Sequence, residues 1–297
     1  MTATYLERLA ARTASVGTVL CLGLDPDPTA LPPGFSADIA GAERFVMLVI
    51  EAAAPFAAAI KPNLAFYESH GAAGLAALER IRGRIPSAIP VVMDAKRADI
   101  GSTAAHHAVA LFDRLGADAV TVNPYPGGQA LLPLFERADR YAYVLCRTSN
   151  PDASEFQNLV VAADPSIDAP AEPLHLRVAR RAASWGPGGT VGLVVGATAP
   201  AELRAIRAVA PGLGFLVPGV GAQGGEIDPV LRDGPATAAP AAVGTGRGLL
   251  VNVSRGISAA AVGEPAGGEP AGARRSDPGE RIAAAARDWA SRLPVLP

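Results

Sequence analysis

The run Asp94-Ala95-Lys96-Arg97-Ala98-Asp99 places four charged side chains in six positions, directly after the apolar Val91-Val92-Met93. Side chains two apart on a strand share a face, so Asp94 and Lys96 point the same way. Lys61 closes another apolar stretch in Ile60-Lys61-Pro62-Asn63, and Asp25 follows Leu22-Gly23-Leu24. A lysine or aspartate at the end of a buried strand is costly unless an opposite charge meets it. Lys61, Asp94, Lys96 and Asp99 therefore read as an alternating charge network. Such a network could form a catalytic centre that works through paired charges, without metal or cofactor. The plainer reading of the run is a solvated strand-to-helix turn, with Asp99 or Ser102 capping the next helix.

Charges placed this way need elements to hold them. Short apolar runs ended by Gly, Pro or Asp recur at 18–24, 58–63, 90–96, 119–124, 141–147, 190–196, 214–219 and 248–254. Helical patterns rich in Ala, Leu, Arg and Glu lie between most of them, at 41–57, 70–83, 101–115, 128–138, 172–185 and 200–209. Eight strands alternating with helices predict an α/β fold with a parallel sheet closed into a (β/α)8 TIM barrel. A doubly wound dinucleotide fold would want GxGxxG after the first strand, where Gly23-Leu24-Asp25-Pro26-Asp27 stands instead. In a barrel of this kind the active site forms at the carboxyl ends of the strands, where the charges above fall.

The loops after the last two strands add a second feature. Pro218-Gly219-Val220-Gly221-Ala222-Gln223-Gly224-Gly225 follows strand seven, and Ser254-Arg255-Gly256 follows strand eight. Barrels frequently hold a phosphate there, on backbone amides freed by glycine and on a guanidinium. Taken alone, the glycine run is equally well a flexible turn. The histidines, His70, His106, His107 and His175, lack partner spacing for zinc and read as structural or surface residues. Asn123, ending strand four, reads as a site residue or a turn former.

A chain of 297 residues that is 49% hydrophobic and 18% charged suits one barrel domain spanning 1–297. Two Pro/Gly/Ala-rich stretches, 226–245 and 259–279, read as flexible insertions, and a closing helix is expected over 278–292. The net charge of -2 provides no basic field for a nucleic-acid partner. Cys21 and Cys146 lack metal-ligand spacing and read as buried free thiols. The amino-terminal helical pattern lacks the features of a signal peptide, and the apolar stretch 45–60 is broken by Glu51 and Pro55, short of a membrane span. A cytoplasmic protein without a membrane partner is expected.

Taken in order, L-G-L-D-P, I-K-P-N, V-M-D-A-K-R-A-D-I-G-S-T, T-V-N-P-Y, R-T-S-N-P, P-G-V-G-A-Q-G-G and L-V-N-V-S-R-G cover nearly the whole chain. Together they resemble the orotidine 5'-phosphate decarboxylase family, in its longer bacterial type with the signature D-A-K-R-A-D-I. The stretch between Gln223 and Arg255 and the 259–279 segment are longer than those motifs require. The resemblance implies loss of CO2 from orotidine 5'-monophosphate to give uridine 5'-monophosphate, with no cofactor and no metal. It implies Lys96 as proton donor to the pyrimidine carbon, with Asp94 beside the departing carboxylate and Lys61 bonded to that carboxylate and a ribose hydroxyl. Asp25 would bind the ribose, Ser149 the pyrimidine and Arg255 the phosphate. Gln223 would link base and phosphate, with Pro218 also among the substrate contacts. Asp99, Ile100 and Thr103 would reach into the site of a second subunit, so a homodimer with shared active sites is implied. Two other readings are a magnesium-assisted sugar-phosphate decarboxylase or synthase of the same superfamily, and a nucleotide-phosphate binding protein without turnover.

Overall fold

The computed structural model describes residues 3–221, 223–262 and 277–296. Eight parallel strands succeed one another: β1 Leu20–Leu24, β2 Ala59–Pro62, β3 Val92–Arg97, β4 Ala119–Val122, β5 Tyr141–Arg147, β6 Val191–Val195, β7 Gly214–Val217 and β8 Leu249–Val253. Each but β2 forms a ladder with the next, and β8 returns to β1 through Leu20↔Val251. The remaining seam, between β2 and β3, is closed by two parallel bridges, Ile60↔Val91 and Asn63↔Asp94. The sheet is thus a barrel, and its strands fall where the apolar runs predict them.

Alternation along the strands sorts the side chains into two apolar layers. Leu22, Ile60, Met93, Val144 and Phe215 face outward into the shell of helices. Cys21, Val92, Tyr141, Tyr143, Val194 and Leu216 fill the barrel itself. Both cysteines are buried free thiols, and burial pushes the Cys21 thiol up to about 12.

The helix α1, Tyr5–Val16, begins with a capping box in which Glu7 accepts from the Thr4 amide and Thr4 Oγ1 accepts from the Glu7 amide. It closes the amino-terminal mouth of the barrel. Tyr5 is fully buried, stacks on Tyr141 with ring centroids 4.9 Å apart, and lies with its hydroxyl 3.1 Å from that of Tyr143. The Tyr141 hydroxyl accepts from the Gly214 amide at 3.1 Å. A Cβ at Gly192 would come within 2.6 Å of the Tyr141 ring, so the tyrosine filling requires glycine there. Beside this filling, buried Asp118 pairs with Arg8 at 2.5 Å and accepts from the Val91 amide at 2.8 Å.

Around the barrel run α2 Ile39–Ala53, α3 Gly71–Arg84, α4 Gly101–Ala108, α5 Leu174–Ala182, α6 Pro200–Val209, α7 Ile227–Asp233 and α8 Pro278–Arg292. The helix expected over 101–115 is α4 continued by a π-helical turn, Val109–Arg114. Between β4 and β5 the expected 128–138 helix reduces to a single turn, Leu132–Phe135. The expected 172–185 helix starts two residues late, because Glu172–Pro173 pairs with Val160–Val161 in a small antiparallel ribbon.

The stretch 226–245 is more regular than its composition suggests, since it carries α7 in the place of the helix between β7 and β8. Pro229 sits in the first turn, where its missing N–H would have found no intrahelical partner anyway. Buried Arg207 of α6 donates to the carbonyls of Leu213 at 2.8 Å and Gly234 at 2.6 Å, tying the end of α7 to the base of β7. Of the expected 259–279 insertion, residues 259–262 form a short 3-10 turn and Pro278 opens α8, while 263–276 lie outside the described residues. Among the described residues no helix is long and apolar enough to cross a membrane.

Candidate active site

A cavity of about 490 Å³ opens at the carboxyl ends of the strands. The inward positions that lie below it as Cys21, Ala59, Val92 and Ala119 give way, two residues further along each strand or four on β1, to Asp25, Lys61, Asp94 and Thr121. The inward positions thus change from apolar filling to polar and charged groups where the barrel meets solvent.

Asp94 is the hub of that charge. Its Oδ2 pairs with Lys61 Nζ at 2.8 Å, and its Oδ1 with Lys96 Nζ at 2.6 Å. Thr121 Oγ1 donates to the same Oδ1 at 2.9 Å. The Lys61 side chain is 5% exposed and that of Asp94 12%, whereas Lys96 reaches the opening at 48%. Burial opposes ionisation of Asp94, but the ammoniums of Lys61 and Lys96 outweigh it and hold the carboxyl well below the usual carboxylate range. Burial likewise opposes the charge on Lys61, and the carboxylates of Asp94 and Asp25 outweigh it and lift the ammonium above its ordinary value. Asp94 and Lys61 are therefore held as an ion pair, with Lys96 Nζ on the second carboxylate oxygen.

Other polar groups on the wall are left for a ligand. Among the described residues Asp25 Oδ1 and Asn252 Oδ1 are buried without a hydrogen-bond partner, and both residues line the cavity. An unpaired buried acceptor is expensive, which marks this wall as a place where donors are expected to arrive. Across the cavity Ser149 Oγ donates to Gln223 Oε1 at 2.8 Å, bridging the loops after β5 and β7. Gly219, at φ 96, allows that approach, because a Cβ there would lie 2.9 Å from Gln223 Oε1 and from Ser149 Cβ. Arg255, at the start of the short helix after β8, also lines the cavity, and its guanidinium has no protein partner among the described residues.

Paired charges below, amide and hydroxyl groups on one side and a free guanidinium on the other suit a ligand with an anionic reacting end and a phosphate. Residues 18–267 match the model of the orotidine 5'-phosphate decarboxylase / HUMPS family. The chain belongs to this family. An orotidine 5'-phosphate decarboxylase from Thermomicrobium roseum is 47% identical over 255 residues, 85% of this chain and 86% of the relative. One from Herpetosiphon aurantiacus is 44% identical over 254 residues, 85% of this chain and 88% of the relative. Among solved structures, the OMP decarboxylase of Leishmania donovani superposes with a TM-score of 0.78 at 36% identity, covering 97% of both chains.

Within this family member the cavity gathers Asp25, Lys61, Asp94, Lys96, Ser149, Pro218, Gln223 and Arg255, all singled out in the sequence. Asp99, Ile100 and Thr103 are not among its lining residues. They lie at the end of β3 and the start of α4, with Ile100 67% exposed and Asp99 Oδ1 accepting from the Ile100 amide at 2.7 Å. Asn123 is the turn former of its two readings, accepting from the Tyr125 amide at 3.0 Å. His175 is buried and its Nδ1 lies 2.8 Å from the Gln157 carbonyl, in keeping with a structural role. Sequence reasoning passed over Asn63, Thr121, Thr148, Asn150 and Asn252, which also line the cavity. Thr121 and Asn252 carried a usable signal, being polar residues two beyond the inward apolar Ala119 and Leu250.

Proposed function

We propose that this chain decarboxylates orotidine 5'-monophosphate to uridine 5'-monophosphate and CO2, in de novo pyrimidine nucleotide synthesis, with Lys96 as proton donor to C6 of the pyrimidine. The observation that carries the assignment of roles is the Lys61–Asp94–Lys96 array at the cavity. The bond from C6 to the carboxylate breaks, CO2 leaves, and the electron pair stays on C6, where the ring delocalises it poorly. A fixed ammonium beside that carbon lowers the energy of the carbanion as charge develops and then supplies the proton. Lys96 is the ammonium that reaches the opening of the cavity, and Asp94 orients it.

The remaining roles follow the lining of the cavity. Asp94 stands beside the departing carboxylate, and Lys61 bonds that carboxylate and a ribose hydroxyl. Asp25, with its unpaired oxygen, accepts from the ribose. Ser149 reads the pyrimidine, Gln223 links base and phosphate, Pro218 is a further substrate contact, and Arg255 holds the phosphate. Binding energy from the phosphate, far from the reacting carbon, is used to position and enclose the ring.

Exposed Ile100, with the partly buried Asp99 and Thr103 beside it, serves the cavity of a second copy, so the working unit is a homodimer with shared sites. Two buried thiols without a disulfide suit a cytoplasmic setting. The test follows the loss of orotate absorbance on adding purified protein to orotidine 5'-monophosphate, and a wild-type chain without turnover would end this reading. For the shared site, inactive Lys96→Ala and Asp99→Ala chains are mixed. Hybrid dimers carry one intact site and should recover part of the activity; no recovery despite demonstrated subunit exchange would show each barrel to be self-sufficient.

A further inference from the structure

β3 loses its register with β4 at the site. Val92 and Met93 pair with Ala119 and Val120, and the next paired residue is Arg97, opposite Val122. Asp94, Ala95 and Lys96 therefore stand opposite the single residue Thr121, a bulge that re-aims side chains and takes backbone groups off the ladder. Lys96 itself has φ 48, in the left-handed region that a residue with a side chain enters at a cost. Something has to hold it there.

Thr121 does so with a single hydroxyl. Its Oγ1 accepts from the displaced Lys96 amide at 3.0 Å and donates to Asp94 Oδ1 at 2.9 Å. A hydroxyl has one proton and two lone pairs, so both bonds can be made at once. Thr121 is 1% exposed, and water has little access to replace either bond. The Lys96 ammonium also binds Oδ1 of Asp94, so Thr121 fixes the backbone from which this lysine springs and the carboxylate oxygen on which it lands.

We infer that Thr121 is a positioning residue for the decarboxylation, holding the bulge and the carboxylate so that the Lys96 ammonium is aimed before substrate arrives. The inference rests on the decarboxylase reading above. Valine at this position keeps the branched shape without the hydroxyl, and serine keeps the hydroxyl without the branch. In the absorbance assay, Thr121→Val should lower kcat about ten- to a hundredfold with KM within about twofold, the pattern of a misplaced reacting group. Thr121→Ser should restore kcat to within about threefold of wild type, since the hydroxyl and not the methyl sets the geometry.

A Thr121→Val enzyme with wild-type kcat, a loss confined to KM, or a serine variant as slow as the valine one would each overturn the inference. Thermal melts of all variants are recorded alongside. If Thr121→Val does not fold, Thr121→Ala takes its place; failure of both to fold would assign the hydroxyl to the fold and overturn a positioning role. A wild type without turnover would instead remove the decarboxylase reading, and this inference with it.

Discussion

At the amino ends of the strands, α1 lays Tyr5 onto Tyr141 and Tyr143, and the buried carboxylate of Asp118 has a partner on each oxygen. At the carboxyl ends the inward positions carry Lys61, Asp94 and Lys96, and Asp25 keeps a buried oxygen with no partner among the described residues. The first region pairs its buried carboxylate and its tyrosine hydroxyls from within and fills its space with rings. The second holds a backbone in an unfavourable conformation at Lys96 and leaves acceptors open. The barrel thereby separates what it needs to stay folded from what it needs to react, by a few residues along each strand. Substitutions at the two ends should accordingly separate stability from turnover.

The largest effect is expected for Lys96→Ala. Removing both the proton source and the positive charge at the reacting carbon should lower kcat by at least about 10³-fold, while thermal unfolding stays close to wild type. Orotate absorbance and a melt on the same sample check both halves; a large drop in Tm would show that the array also supports the fold. Arg255→Ala comes next. Loss of the phosphate guanidinium should reduce kcat/KM by about 10²-fold, with part of the loss in kcat because remote binding energy is used at the ring. Steady-state kinetics showing an unchanged kcat/KM would remove Arg255 from the phosphate site.

Tyr5→Ala tests the other end. Emptying a ring-sized space in the amino-terminal filling should cost about 3–5 kcal/mol of stability, read from denaturant unfolding. Turnover of the folded fraction at 25 °C should stay near wild type, since Tyr5 is absent from the cavity lining. A variant equally stable but slow would couple the two ends that the structure keeps apart.

Much of this was legible in the sequence for physical reasons. Buried parallel strands read as short apolar runs, and all eight were placed, because both faces of such a strand must be apolar until it reaches the site. Charges interrupting that rule, at Lys61, Asp94 and Lys96, were conspicuous for the same reason. What was missed had the opposite character. Thr121 and Asn252 are uncharged and sit inside strands, so only their place in the two-residue alternation sets them apart. α7 was obscured by Pro229 and the prolines and glycines after it, although a proline in a first turn disturbs nothing. The bulge at Asp94–Lys96 left no mark at all, since it is created by pairing with β4 and not by local composition.

The seam between β2 and β3 gives the charged array a second meaning. Two isolated bridges join those strands, where the other neighbouring pairs have ladders, and Lys61 belongs to one side of the gap while Asp94 belongs to the other. Their ion pair is therefore a clasp across the joint of the cylinder that has the fewest backbone ties. A ligand that competes for Lys61 therefore meets an ammonium that already spans this joint, beside the two backbone bridges that close it.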